Sequence, residues 1–321
     1  MENTIARPPF DPEIEAAFVA MGGMPSFTPE MIPVLREAPV AVERDPREVL
    51  SERGFVFNDR TINGYDGDEI IVSVITKKGR TGTGPGFFHI HGGGMILGDR
   101  WGGVAQFIDW AERFNGVIVT VEYRLAPEFP DPYPIEDCYA ALLWTATHFE
   151  EFGIDAARLV VGGASAGGGL SAGVALLARD RQGPTILGQV LMCPMLDDRD
   201  CTPSTLQIDG LGGWDRTSNQ TGWGALLGDR KGTDDVSIYA APARATDLSG
   251  LPAAYIDCGS AEVFRDEDVA YAMRLWEAGV QAELHVWAGG YHGFEFLAPH
   301  AAISRESVAT RDKWMNRLLG A

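Results

Sequence analysis

An α/β fold with a mostly parallel central sheet, flanked by helices and covered by a helical cap, is predicted by three features of the sequence. From residue 86 onward, short apolar runs alternate with longer helical patterns, the order that successive βαβ units produce. The stretch Gly163-Ala164-Ser165-Ala166-Gly167 places a Gly-x-Ser-x-Gly turn where one apolar run ends and a helical pattern begins. With 321 residues, 45% of them hydrophobic, the chain can bury one large core and still carry a smaller cap.

The elements follow in order. Residues 11 to 50 are amphipathic in patches, with Phe18, Met21, Met24, Phe27, Met31, Ile32, Val34 and Leu35 among glycines and prolines, the composition of a lid over an apolar pocket. Alternation over Phe55-Val56-Phe57 and over Glu69 to Ile75 predicts two strands joined through Asn63-Gly64 and Asp66-Gly67-Asp68 as a hairpin-like edge. Further strands are predicted at Gly86 to Ile90, Val117 to Val121, Leu159 to Val161, Gly188 to Met192, Ala253 to Cys258 and Ala282 to Trp287. Helices are predicted near Trp101 to Arg113, Ile135 to Phe149, Ala166 to Arg179 and Glu267 to Glu277. In the last of these, Val269, Met273 and Trp276 form the stripe expected to pack on the sheet. Leu196 to Gly250 shows no clean strand, and a structureless loop of that length is improbable, so it reads as an inserted helical cap.

Charge bounds the function. Twenty-six basic against 45 acidic residues give a net charge of -19, which argues against nucleic acid and anionic membrane surfaces and favours neutral or apolar small molecules. Cys138, Cys193, Cys201 and Cys258 are widely spaced without a Cys-x-x-Cys pair, the pattern of unpaired thiols. Met1 to Phe10 lacks an apolar secretory core and no apolar run is long enough for a bilayer, so a cytoplasmic protein without membrane insertion is expected. Asn219-Gln220-Thr221 is then a chance sequon.

The chemistry is concentrated in four stretches. Gly163 and Gly167 leave room for a sharp corner that exposes the Ser165 hydroxyl, and the helix beginning there directs free N–H groups at whatever the serine attacks. His91-Gly92-Gly93-Gly94 follows a strand, and consecutive glycines present N–H groups to a ligand without Cβ interference, as an oxyanion hole requires. Neither a Walker nor a dinucleotide glycine pattern is present, which removes the nucleotide-binding reading. Of six histidines, His292 lies in a glycine-rich loop after the last strand and suits a general base. His91 is placed to brace the glycine turn; His148 and His285 read as structural. Glu262, in the loop after the strand ending at Cys258, is the best orienting acid; Asp257 falls within that strand, while Asp266 and Asp268 suit the first turn of a helix.

Taken together, His91-Gly92-Gly93-Gly94, Glu122-Tyr123-Arg124-Leu125-Ala126-Pro127-Glu128 with Pro130 and Pro134, the serine elbow, Cys193-Pro194-Met195 and Tyr291-His292-Gly293-Phe294 resemble the hormone-sensitive-lipase-like branch of the α/β-hydrolase esterases, over roughly residues 54 to 318. The resemblance implies the α/β-hydrolase fold, with residues 1–50 as an N-terminal helical cap segment, 51–321 as the catalytic domain and a cap insertion near 197–250. It implies Ser165 as nucleophile, His292 as base, Glu262 where most relatives carry aspartate, and the N–H groups of Gly93, Gly94 and Ala166 as the oxyanion hole. His91, Gly92, Gly163 and Gly167 support the site. Two departures stand out: Glu262 is longer by one methylene, and Ala164 replaces the Asp or Thr usual before the serine. The expected reaction is hydrolysis of short- to medium-chain carboxylic esters through an acyl-enzyme, with amide, lactone or carbamate hydrolysis the runner-up and a catalytically silent ligand-binding protein a third reading. No cofactor or metal is required, and the acidic run Asp197-Asp198-Arg199-Asp200 reads as solvated surface or salt bridges. The expected partner is a small-molecule ester, and relatives suggest a homodimer through the sheet edge and last helix.

Overall fold

The computed structural model describes residues 5–37 and 44–320, so the expectations for Met1 to Thr4 and for residues 38–43 of the N-terminal segment lie outside the described residues. Eight strands form one sheet: β1 (Phe55–Asn63), β2 (Glu69–Lys77), β3 (Gly84–Ile90), β4 (Val117–Glu122), β5 (Ile154–Ala164), β6 (Gly188–Met192), β7 (Ala253–Gly259) and β8 (Ala282–Trp287). Their order is β1-β2-β4-β3-β5-β6-β7-β8. The pairs β1–β2 and β2–β4 are antiparallel, and every later pair is parallel. The hairpin-like edge is present, with Tyr65–Gly67 forming its turn.

The helices are α1 (Pro12–Ala20), α2 (Ile32–Glu37), α3 (Pro46–Glu52), α4 (Ala105–Arg113), α5 (Tyr133–Thr147), α6 (Phe149–Phe152), α7 (Ala166–Asp180), α8 (Pro203–Gln207), α9 (Arg216–Leu227), α10 (Arg265–Glu277), α11 (Phe294–Leu297) and α12 (Ala302–Leu319). Alternation along the strands divides the core in two. Phe87, Val160 and Tyr255 pack with Phe107 and Trp110 of α4 and Trp314 and Met315 of α12. On the other face, Phe88 and Val161 meet Leu142 of α5 and Leu170 and Val174 of α7, while Leu191 and Ile256 meet Tyr271 and Leu275 of α10. No helix among the described residues is long and apolar enough to cross a membrane.

Three local expectations change. The helix expected from Trp101 begins at Ala105, because Gly102 and Gly103 (φ 86°) hold the residues before it in turns. The helix expected to reach Phe149 ends at Thr147, where the His148 ring bonds back to the carbonyl of Trp144 at 2.7 Å. In α10 the inward stripe is Asp268, Tyr271, Ala272 and Leu275, not Val269, Met273 and Trp276: Met273 and Trp276 are exposed and Val269 is half-buried. The apolar pattern misleads there because two acids of the first turn, Glu267 and Asp268, point inward.

The segment 196–250 holds α8 and α9 with short 3₁₀ turns and no strand. It is tied to the N-terminal segment rather than to its own neighbours alone. Asp215 caps α9 by accepting from the Ser218 N–H (2.8 Å) and also accepts from the Ser26 hydroxyl. Ser218 Oγ accepts from the Phe27 N–H, and Thr221 Oγ donates to the Phe27 carbonyl, both at 2.8 Å. Asn219 is buried in the same helix. The acidic run is salt-bridged rather than solvated: Asp197 pairs with Arg199 (2.6 Å), Asp198 with Arg244 (2.6 Å) and Asp200 with Arg216 (3.0 Å).

A buried cation stands under the last two parallel strands. Arg311 of α12, 2% exposed, donates to Asp257 of β7 at 3.0 Å and to Glu295 of α11 at 2.7 Å. Replacing it removes the partner of two buried carboxylates at once. Arg311→Leu is expected to cost about 3–5 kcal/mol in chemical denaturation, whereas replacing the exposed Arg47, which pairs with Asp45, should leave the midpoint nearly unchanged.

The elbow glycines make a second prediction. A Cβ at Gly167 would overlap the carbonyl oxygens of Ile90 and His91, and one at Gly163 would overlap that of Ile90. Gly224 in α9 faces open space. Gly167→Ala should therefore destabilise by about 1–3 kcal/mol or more, while Gly224→Ala should stabilise by up to about 1 kcal/mol, measured as opposite shifts in Tm.

Candidate active site

The C-terminal ends of β3, β5, β6, β7 and β8 converge on one edge, where ligands bind in open α/β sheets. Strand β5 passes into α7 with only Ser165 between them, and Ser165 sits at φ 59°, ψ -123°, a conformation costly for a residue with a Cβ. Two backbone bonds hold it there: its N–H donates to Met192 O at 2.8 Å and its carbonyl accepts from Met195 N–H at 3.0 Å.

His292 reaches the serine from the loop after β8. Its Nε2 lies 3.0 Å from Ser165 Oγ, so that with the imidazole proton on Nδ1 the hydroxyl donates to Nε2. The edge of the Phe264 ring packs against the imidazole at a centroid distance of 5.1 Å. Glu262, 1% exposed, lies behind the ring with Oε2 3.7 Å from Nδ1, an ion-pair approach that stops short of a hydrogen bond. The same oxygen accepts from the Gly259 N–H at 3.3 Å. Serine, imidazole and carboxylate are thus in line across three strand ends, the arrangement that activates a hydroxyl for attack on a carbonyl.

The glycine turn after β3 lies beside the serine. Gly93 (φ 113°) and Gly94 (φ 62°) occupy the left-handed region, where a Cβ would also overlap Leu97 O at the first and the Trp214 ring at the second. Neither N–H is bonded among the described residues, and Ala166 opens α7, where N–H groups lack helical partners. His91 braces this turn: its Nδ1 lies 2.8 Å from Gly92 O, its ring stacks on Tyr123 at 4.1 Å, and its carbonyl accepts from the Tyr123 hydroxyl at 3.0 Å. Gly92 is as constrained, since a Cβ there would come within 2.8 Å of Ala164 O. Burial lowers the pKa of His91, and burial with His91 nearby pushes His89 down to about 3, so His89 is neutral.

The remaining histidines and acids are elsewhere engaged. His285 pairs with Glu283 at 3.0 Å and His148 caps α5. Asp257 is held by Arg311, and Asp266 accepts from the Ser204 N–H at 2.8 Å. Asp268 is buried in α10, where burial and the nearby Glu262 push its carboxyl well above the usual range. Sequence reasoning missed two neighbours of the site. Arg311 carries no motif that signals its burial, whereas Cys193 was visible in Cys193-Pro194-Met195 but not its position beside the acid and histidine.

A cavity of about 500 Å³ opens over Ser165, with walls including Met24, Phe27, Leu35, Leu97 and Trp214. The N-terminal segment supplies three of these and the 196–250 segment the tryptophan. A separate depression of about 600 Å³ over β1 and β2 is lined by Arg60, Lys77, Lys78 and Arg80 and contains no nucleophile beside a base.

Known proteins carry the same architecture. The profile of the alpha/beta hydrolase fold family matches residues 87–296. The chain is 34% identical over 310 residues to carboxylesterase NlhH of Mycobacterium tuberculosis, covering 94% of both chains. It is 30% identical over 228 residues to an arylesterase of Saccharolobus solfataricus, covering 70% of this chain and 73% of that one. Among solved structures, a bacterial heroin esterase superposes with a TM-score of 0.87 at 38% identity, covering 97% of this chain and 98% of that one. With its Ser-His-Glu alignment, glycine turn and covered pocket, the chain belongs to the hormone-sensitive-lipase-like branch of the α/β-hydrolase esterases and is a serine carboxylesterase.

Proposed function

We propose that the chain cleaves short- to medium-chain carboxylic esters with Ser165 as nucleophile, His292 as general base and then acid, and Glu262 as the group that orients the imidazole. The observation that carries this reading is the 3.0 Å approach of His292 Nε2 to Ser165 Oγ at the floor of an apolar cavity, with Glu262 behind Nδ1. His292 takes the hydroxyl proton as Oγ attacks the ester carbonyl; the N–H groups of Gly93, Gly94 and Ala166 receive the developing oxyanion. The imidazolium, facing the Glu262 carboxylate, then protonates the leaving alcohol. Water deacylates the enzyme by the same route in reverse. The 3.7 Å gap between Nδ1 and Glu262 closes as positive charge develops on the ring.

Acyl length follows from the walls. Phe27 and Trp214 meet edge to face at 5.5 Å and bound the cavity on the side away from the sheet. Residues 5–37 and the 196–250 segment act as the cap in this reading. A homodimer through β8 and α12 is supported by Val286 and Val308, exposed apolar side chains on those two elements. Sedimentation velocity should give twice the chain mass, and Val286→Glu should return the monomer.

Hydrolysis of p-nitrophenyl esters from acetate to palmitate tests the mechanism and the pocket together. Rates should fall beyond medium chains. Ser165→Ala should lower kcat by about 10⁶-fold and Glu262→Gln by about 10⁴-fold, both with the fold intact by circular dichroism. Retention of wild-type rates by Ser165→Ala would overturn the assignment.

A further inference from the structure

Cys193 lies beside the acid and the base. Its Sγ, one carboxylate oxygen of Glu262 and one ring nitrogen of His292 all lie within 4.8 Å of one another. Each comes from a different strand end: Cys193 follows β6, Glu262 follows β7 and His292 follows β8. The nitrogen that faces Glu262 is Nδ1, and neither Nδ1 nor Glu262 Oε1 has a hydrogen-bond partner although both are buried. A void of about 10 Å³ behind the acid is bounded by Cys193, Cys258, Glu262 and Glu295, with His292 just outside its lining. Cys193 is an unpaired thiol held at φ 37° by an N–H bond to Asp257 O at 2.6 Å, and it also lines the main cavity, which gives access from solvent.

We propose that Cys193, Glu262 and His292 form an inhibitory site for a thiophilic divalent cation of the Zn²⁺ type. The donor set selects the ion: one sulfur, one imidazole nitrogen and one carboxylate oxygen suit Zn²⁺ or Cd²⁺, whereas Mg²⁺ and Ca²⁺ demand oxygen. Tetrahedral Zn²⁺ with bonds of about 2.0–2.3 Å sets its ligand atoms roughly 3.3–3.7 Å apart; Nδ1 and Glu262 Oε2 already stand at 3.7 Å, and no pair of the three donors exceeds 4.8 Å. Solvent completes the fourth position. Asp257 and Glu295, both held by Arg311, border the same small void as Cys193.

Proton balance explains the inhibition, and this part rests on the catalytic reading above. The Cys193 S–H releases its proton to solvent and the sulfur donates an electron pair to the cation, as do the Glu262 oxygen and His292 Nδ1. In the active tautomer Nδ1 carries the imidazole proton and the Nε2 lone pair faces Ser165. Coordination through Nδ1 obliges the neutral ring to carry that proton on Nε2. A protonated Nε2 cannot accept from the Ser165 hydroxyl. Metal therefore lowers kcat, while the apolar cavity and KM are little changed.

The test titrates the full-length, chelator-treated protein with Cd²⁺ and follows the ultraviolet thiolate-to-cadmium absorption, in parallel with p-nitrophenyl acetate hydrolysis under added Zn²⁺. The wild type should show a one-to-one cadmium band and a Zn²⁺-dependent fall in kcat that EDTA reverses. Cys193→Ala, read against its own metal-free rate, should lose the band and need at least about tenfold more Zn²⁺ for half-inhibition. Cys193→Ser provides the same comparison should the alanine variant not fold. Cys201→Ala, which alters the exposed thiol, should keep both signals. The site is overturned if the band and inhibition persist in Cys193→Ala, if they follow Cys201, if neither appears in the wild type, or if Zn²⁺ raises KM alone. A Cys193-dependent cadmium band in a protein whose hydrolysis survives Ser165→Ala would support the site and overturn the catalytic assignment instead.

Discussion

The corner at Ser165 is the constraint on which the rest of the site depends. Its backbone conformation costs on the order of 1–3 kcal/mol and persists because the surrounding structure over-determines it. The end of β3 lies so close that the carbonyls of Ile90 and His91 fill the space above Gly163 and Gly167, and Met192 of β6 with Met195 just beyond it bonds the serine backbone on its other side. The same closeness brings the glycine turn after β3 beside the hydroxyl. The proposed oxyanion donors and nucleophile are therefore fixed relative to one another by main-chain packing rather than by side-chain contacts, which is the rigid support that electrostatic catalysis requires.

Charge around the imidazole is arranged in depth. Glu262 faces the ring; behind it stand Asp257 and Glu295, which share the single cation of Arg311, and the buried Glu267 and Asp268. Burial pushes Glu267 and Asp268 well above the ordinary carboxyl range, which favours their neutral forms. A carboxylate facing the ring in a poorly solvated corner favours the imidazolium of the proposed transition state more than it would in water.

Much of this was legible because it is local. Strand periods, the two glycine turns and the histidine loop are short stretches whose conformational needs dictate their residues, and all of them appear where the sequence places them. Long-range pairing left no comparable trace. Arg311 looks like one more charge on a polar helix until the fold carries it under β7, and the exposed Met273 and Trp276 mimic a core stripe because their spacing is right. Glu262 could be preferred over Asp257, Asp266 and Asp268 from position alone, but not its approach to Cys193, since β6 and β7 become neighbours only in the folded sheet. Asp215 likewise reads as an ordinary helix cap, with nothing nearby to announce Ser26 as its partner.

That last contact links pocket shape to catalysis. Asp215 and Ser218 bind the Ser26-Phe27 stretch to the start of α9, so the N-terminal segment and the 196–250 segment share one hydrogen-bonded seam over the cavity. Phe27 and Trp214 form the wall at that seam, and the Trp214 ring lies against Gly94 in the space a Cβ would take. An acyl chain too long for the cavity must displace both aromatic rings together. Moving Trp214 opens the space beside Gly94 that its ring now fills, next to the proposed oxyanion turn. Under the proposed mechanism, in which the Gly94 N–H receives the oxyanion beside the Trp214 ring, length discrimination falls on kcat as well as on binding.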